Sequence, residues 1–168
     1  TVRLDPQDIE EIFSLRTSLE VLAIRLVARN ASRTDLARLE DVVDKMRTIE
    51  TGDDRYSGAQ ADAEFHSILM EVSGHSRAYD AWKRMNAQIT MAVYQAASFY
   101  EAIGSLADRH VAIIETLRTG DTEQAEEAIV AHIIHGSHLL LKAVGRQQLL
   151  TQEPRRHDLT DKITLLAG

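Results

Sequence analysis

The chain has 168 residues, carries 19 Lys and Arg against 26 Asp and Glu for a formal charge of -7, and contains no cysteine. Disulfides and thiolate metal sites are thereby excluded, any metal must sit on His and carboxylate, and the charge repels the phosphate backbone that nucleic-acid binders meet with clustered cations. Two prolines and 5% aromatics, beside abundant Ala, Leu, Ile, Glu and Arg, favour helices over sheet. A chain of this length fits one domain. No apolar run approaches the roughly 20 residues that span a bilayer, and the start TVRLDPQDIEE is unlike a signal peptide. A cytoplasmic protein without a membrane partner is expected.

Taken in chain order, six amphipathic helices are predicted. The first opens with Asp5 as N-cap, Pro6 where a missing N–H does no harm and Asp8 at the positive end of the dipole. Its inward stripe is Ile9, Ile12, Phe13, Leu19, Ala23, Leu26 and Val27, ending near Asn30, with Arg16 and Glu20 interrupting its middle. Ser32 or Thr34 caps the second, whose seam is Leu36, Leu39, Val43 and Met46 and which ends near Thr51 to Asp54. The third runs from about Tyr56 to Ser73 and stops at Gly74. Ser76 caps a long fourth helix bearing Ala78, Trp82, Met85, Ile89, Ala92, Ala96 and Phe99, broken at Gly104. The fifth spans about Ser105 to Thr119 and stops at Gly120. Thr122 caps the sixth, which carries Ala125, Ala128, Ile129, Ile133, Leu139 and Leu140 to about Leu150. Residues 151–168 lack a periodic face and read as a tail. Short connections between long helices give an all-α antiparallel bundle over residues 1–150.

Seven histidines are present, and a turn of 100° per residue separates them. Asp62 and His66 stack four residues apart at the edge of the stripe Phe65, Leu69, Val72. His110 is flanked by Ile113, Ile114 and Leu117, and His132 by Ala125, Ala128, Ile129, Gly136 and Leu139. These four lean inward, whereas His135 lies at the edge of its stripe, His138 points out, His75 is in a loop and His157 in the tail. An inward carboxylate is costly unless it is paired or binds a metal. A divalent cation shared by Asp62, His66, His110 and His132 satisfies all four groups, and the donor set suits zinc or nickel ahead of manganese or iron. The alternative is that each His donates to a backbone carbonyl while Asp62 pairs with an arginine. Arg16 has two readings as well: an ion pair with Glu20 one turn along, or a guanidinium fork that grips a carboxylate effector.

Several motifs then become recognisable together. Asp62-Ala63-Glu64-Phe65-His66 followed by Ser73-Gly74-His75 resembles the D-x-x-F-H…S-G-N signature of the FadR-type C-terminal effector-binding (FCD) domain of GntR regulators. His110 in RHVAIIETLRTGD and His132 in AEEAIVAHI resemble that family's two later histidines, and Arg16-Thr17-Ser18-Leu19-Glu20 is similar to its R-x-x-L-E. The match covers about residues 5 to 145, and six helices place it nearer the VanR-like branch than the seven-helix FadR branch. His75 stands where the family has Asn, a change expected to affect the turn. The resemblance implies an Asp-plus-three-His metal centre under a pocket for small carboxylates or sugar acids, with dimerisation of the intact regulator. The winged helix-turn-helix that family members carry ahead of this domain is not in the sequence, so DNA is expected to be reached only through an attached reader. A rival reading is a metallohydrolase or non-haem oxygenase, since three His and one Asp with open positions could also activate water or oxygen. It lacks an evident general base, because Glu64 projects away from the metal face and Glu20 has Arg16 as partner. No enzyme is therefore expected.

Overall fold

The computed structural model describes residues 4–52, 54–96 and 106–151. The expected inward placing of Phe99, the break at Gly104, the helix start at Ser105, and the tail beyond Thr151 with His157 lie outside those residues. Six helices are present: α1 (Pro6–Asn30), α2 (Arg33–Gly52), α3 (Arg55–Val72), α4 (Ser76–Ala96), α5 (Leu106–Thr119) and α6 (Thr122–Thr151). No strand occurs among the described residues.

The helix starts follow from side chains that satisfy otherwise orphaned N–H groups. Asp5 accepts from the Asp8 N–H at 2.8 Å while its own N–H donates to the Asp8 carboxylate at 3.0 Å, a reciprocal capping box. Ser32, not Thr34, caps α2: its hydroxyl accepts from the Asp35 N–H at 3.2 Å and its N–H donates to the Asp35 carboxylate at 2.9 Å. Asp54 begins α3 by accepting from the Ser57 N–H at 3.1 Å. Two expected caps move by one residue. Ser76 is already helical, and His75 Nδ1 accepts from the Ala78 N–H at 3.2 Å. Thr122 is likewise helical, and Asp121 Oδ1 accepts from the N–H groups of Glu123 at 3.0 Å and Gln124 at 3.1 Å. A carboxylate reaching two donors outcompetes a hydroxyl one position later. Gly74 and Gly120 end α3 and α5 at φ +71°, where a side chain would be strained. α2 ends at Gly52, within the stretch Thr51 to Asp54 where its end is expected.

α1 packs along the length of α6, with further contacts to α3, α4 and α5, while α2 packs between α3 and α5. Arg25 meets Glu126, Phe13 meets Gly136 and Ala28 meets Gly120. The partner numbers fall as α1 advances, so α1 and α6 are antiparallel. The interior is a single large apolar cluster drawn from all six helices, beside a smaller one of Ala23, Met70, Ala78 and Trp82. Ile24, absent from the expected stripe, is fully buried, whereas Ile12, Leu19 and Leu26 are half-buried. One expectation needs correction: by length and composition, Thr122–Gln147 of α6 is apolar enough to cross a bilayer. Ala125, Ile129, Ile133, Leu140 and Ala143 of that stretch are buried in the core against the other helices.

Candidate metal centre

Arg16, Glu20, His66 and His110 are the buried charged or polar residues among the described ones, and they form one cluster. α3 supplies Asp62 and His66 from successive turns, α5 supplies His110, and α6 supplies His132. One ligand atom from each of these four lies within 4.8 Å of all the others. Asp62 Oδ1 is 3.3 Å from His110 Nε2, 3.6 Å from His132 Nε2 and 3.9 Å from His66 Nε2. The Nε2 atoms of His66 and His132 approach to 3.0 Å.

The hydrogen bonds behind the imidazoles fix what they present in front. His66 Nδ1 donates to Glu20 Oε2 at 2.6 Å, and His110 Nδ1 donates to the Leu106 carbonyl at 2.8 Å, one turn back on α5. Both rings thus turn an Nε2 lone pair towards Asp62, a tautomer assigned from the network. Among the described residues His110 Nε2 finds no hydrogen-bond partner although it is buried beside a carboxylate oxygen, and His132 Nδ1 is buried without one. Lone pairs facing a carboxylate at such distances repel unless a cation lies between them. The residues present therefore fit a divalent ion with nitrogen and oxygen ligands, outer-shell partners included for two of the three imidazoles. Asp62 keeps 30% of its side-chain exposure, which makes it the open side of the cluster.

Electrostatics keep the carboxylates ionised. Burial pushes Glu20 up, but the charge of Arg16 and the hydrogen bonds from Arg16 and His66 outweigh it and bring it down to about 2. Asp62 is likewise held well below the usual carboxylate range, although burial opposes its ionisation. His132 is pushed down to about 3, chiefly by burial, and stays neutral at ordinary pH despite the Asp62 carboxylate beside it.

Arg16 lies in the wall of the same cluster and is 4% exposed. Its Nε donates to Glu20 Oε1 at 2.6 Å, so the expected ion pair forms. Its Nη2 finds no hydrogen-bond partner among the described residues and sits 3.9 Å from Asp62 Oδ2. Glu64 is on the surface, paired with Lys45. His75, His135 and His138 are exposed and away from the cluster. Sequence reasoning missed Trp82, whose Nε1 donates to Glu20 Oε1 at 2.7 Å. It also gave Glu20 a single partner where there are three. The signal was a carboxylate in the middle of an apolar stripe.

The FCD domain family matches residues 11–135. The "Probable D-xylose utilization operon transcriptional repressor" of Paenarthrobacter nicotinovorans is 27% identical over 131 residues, 78% of this chain. The HTH-type transcriptional regulator LutR of Bacillus subtilis is 23% identical over 139 residues, 80% of this chain. The alignments span 57% and 63% of those two regulators. Among solved structures, E. coli McbR/YncC superposes with a TM-score of 0.74 at 15% identity, covering 80% of this chain and 64% of that one. The metal-free FCD domain of TM0439 superposes with a TM-score of 0.69 at 18% identity, covering 86% of this chain and 99% of that one. From the extent of the family match, the fold and these relatives, the chain belongs to the FCD domain family of GntR-type transcription regulators.

Proposed function

We propose that this domain is the ligand sensor of its regulator, with residues 1–150 as the sensing bundle and 151–168 as a tail. It holds one divalent metal, zinc or nickel ahead of manganese or iron, on Asp62, His66, His110 and His132. A small organic acid binds at the open side, one carboxylate oxygen on the metal and the other end of the anion on Arg16. The observation that carries this reading is the convergence of three imidazoles and Asp62, with His110 Nε2 buried against a carboxylate and unsatisfied. When bound, the metal supplies a Lewis-acidic anchor for an anion. The protein's own contribution is to aim the ligands through Glu20 and the Leu106 carbonyl, and to keep a guanidinium beside the anchor.

Sensing in place of catalysis is favoured by what the nearby carboxylates are doing. Glu20 has both oxygens occupied by donors, and Glu64 is tied to Lys45 at the surface, so neither can serve as a general base. The regulator works in the cytoplasm as a homodimer and touches DNA through an attached reader, whose affinity shifts when the effector prefers one arrangement of the bundle. Elemental analysis followed by a thermal-shift screen of organic acids, with and without chelator, tests the reading. Acids that raise the melting temperature only in the metal-loaded domain are expected. A domain that purifies and dialyses without binding any divalent ion would rule out the metal, and turnover of a small ester or acid would rule out a pure sensor.

A further inference from the structure

The proposal concerns Glu20, a carboxylate with no exposure at all that is not one of the four metal-ligand residues. It sits on α1, and its two oxygens collect three donors from three helices. Oε1 accepts from Arg16 Nε at 2.6 Å on α1 itself and from Trp82 Nε1 at 2.7 Å on α4, while Oε2 accepts from His66 Nδ1 at 2.6 Å on α3. The carboxylate therefore touches the arginine assigned to the effector, a ligand assigned to the metal, and the single tryptophan of the chain. Resting on the metal reading above, we propose that Glu20 is the positioning residue of this site: it locks His66 in the Nδ1–H tautomer that aims Nε2 at the metal, and it joins that ligand mechanically to Arg16 and to Trp82 on α4.

The chemistry follows from what each partner can donate. Arg16 and Trp82 have only N–H groups to offer, so the atom they share must be an acceptor in every state. With Oε1 taken, His66 faces Oε2, and an ionised carboxylate accepts there and can do nothing else. The Nδ1 proton is thereby fixed, and with it the lone pair on Nε2. In Glu20→Gln the shared oxygen still serves Arg16 and Trp82, but the amide NH2 now faces His66. Nδ1 must then accept, the proton moves to Nε2, and an N–H points into the site where a lone pair is needed. Loss of such an outer partner weakens metal binding roughly 10–100-fold in general. The same linkage makes Trp82 a reporter, because any movement of His66 on metal uptake reaches the indole N–H through one shared carboxylate.

The test begins on the metal-free wild-type chain with 15N imidazole and indole NMR, which needs neither an active assay nor a variant that folds. His66 is expected with its proton on Nδ1, and the Trp82 indole N–H resonance is expected to shift on titration with zinc. Glu20→Gln is expected to move the His66 proton to Nε2 and to weaken zinc binding 10–100-fold in a chelator competition, with one ion still bound at saturation. A wild-type His66 protonated on Nε2 overturns the proposal. So does a cooperatively melting Glu20→Gln protein with wild-type zinc affinity. Should the wild type bind no zinc while His66 carries its proton on Nδ1, the metal reading fails and Glu20 is left as a structural tie, which also overturns its role at a metal. The tautomer and the zinc titration thus report the two failures separately.

Discussion

Two parts of the interior obey opposite rules. Beneath α2, Leu39, Val42, Val43 and Met46 close against α3 and α5 in one apolar cluster that includes Ile113 and Leu117, and among the described residues no fully buried charged or polar side chain belongs to α2. Around Glu20, where α1, α3, α4, α5 and α6 approach, every helix but α2 sends in a polar group: Arg16 and Glu20, Asp62 and His66, Trp82, His110, and His132. The first region is held by the hydrophobic effect and tolerates any tight apolar packing. The second is costly to form, because each buried donor or acceptor must find a partner, and three buried polar atoms find none among the described residues. On the proposed reading such a centre is kept because it serves a ligand, so that the polar region would carry function and the apolar one stability.

The comparison breaks most visibly if metal binding survives damage to the polar region. His110→Ala removes a ligand whose Nδ1 is pinned to Leu106, and zinc uptake should fall by more than the 100-fold that outer-shell changes reach. His138→Ala, on the exposed face of α6, should bind as the wild type does. Metal analysis after gel filtration of both variants checks this, and full occupancy in His110→Ala would dismiss the site.

Damage to the apolar region should do the reverse. Leu39 has no exposed surface, and Leu39→Ala leaves a cavity worth about 2–5 kcal/mol of stability. Below the unfolding transition its zinc stoichiometry and affinity should be unchanged. A chemical denaturation curve beside a zinc titration measures both, and coupled losses would show that the two regions are not separable.

Much of this division was legible in the sequence, for reasons that differ by region. Apolar spacing locates helices well, so among the described residues the seam of α2 and the stripes of α3 to α6 lie where periodicity places them. The caps at His75 and Asp121 were misplaced by one residue because several polar side chains compete there and geometry chooses. The four inward groups were found by projecting each helix onto its own stripe, which needs no tertiary information. What projection cannot give is distance between helices. Trp82 reads as an ordinary core residue because its N–H bond to Glu20 crosses from α4 to α1, 62 positions apart. For the same reason Arg16 could be read as an ion pair or as an effector contact, when its Nε serves Glu20 and its Nη2 lies towards Asp62.

Arg16→Lys sharpens the comparison within the polar region itself. Lysine keeps a charge for Glu20 but lacks the planar fork that also reaches towards Asp62, so it cannot hold both. Zinc content should persist while affinity for a carboxylate effector falls by about 1.5–3 kcal/mol, the range for one charge-assisted hydrogen bond. Calorimetric titration of metal-loaded wild type and variant with the acid found by thermal shift measures it. Unchanged affinity alongside lower stability would confine Arg16 to the ion pair.

The smallest expected effect separates His132 from the carboxylates by pH. In the unfolded chain a histidine takes up its proton near 6.5, whereas folded His132 is held down to about 3, first by burial. Between those values the unfolded state binds more protons than the native one, so stability is full above about 6.5 and is lost as pH falls. For one such group the loss from pH 6.5 to pH 5 is about 1.5 kcal/mol. Glu20 and Asp62 are also depressed, but their unfolded values lie near 4.5 and 3.8, so their share is lost below pH 5 and does not confuse the window. His135 shifts the same way, mainly from partial burial, but it is exposed and contributes little after solvent screening. His132→Asn removes the titrating ring, and the difference in slope between variant and wild type isolates it. Denaturation of both proteins in chelator at pH 6.5 and pH 5 gives that difference. Parallel slopes would mean that His132 keeps contact with solvent in the metal-free domain, and that the polar region opens where α6 meets α1.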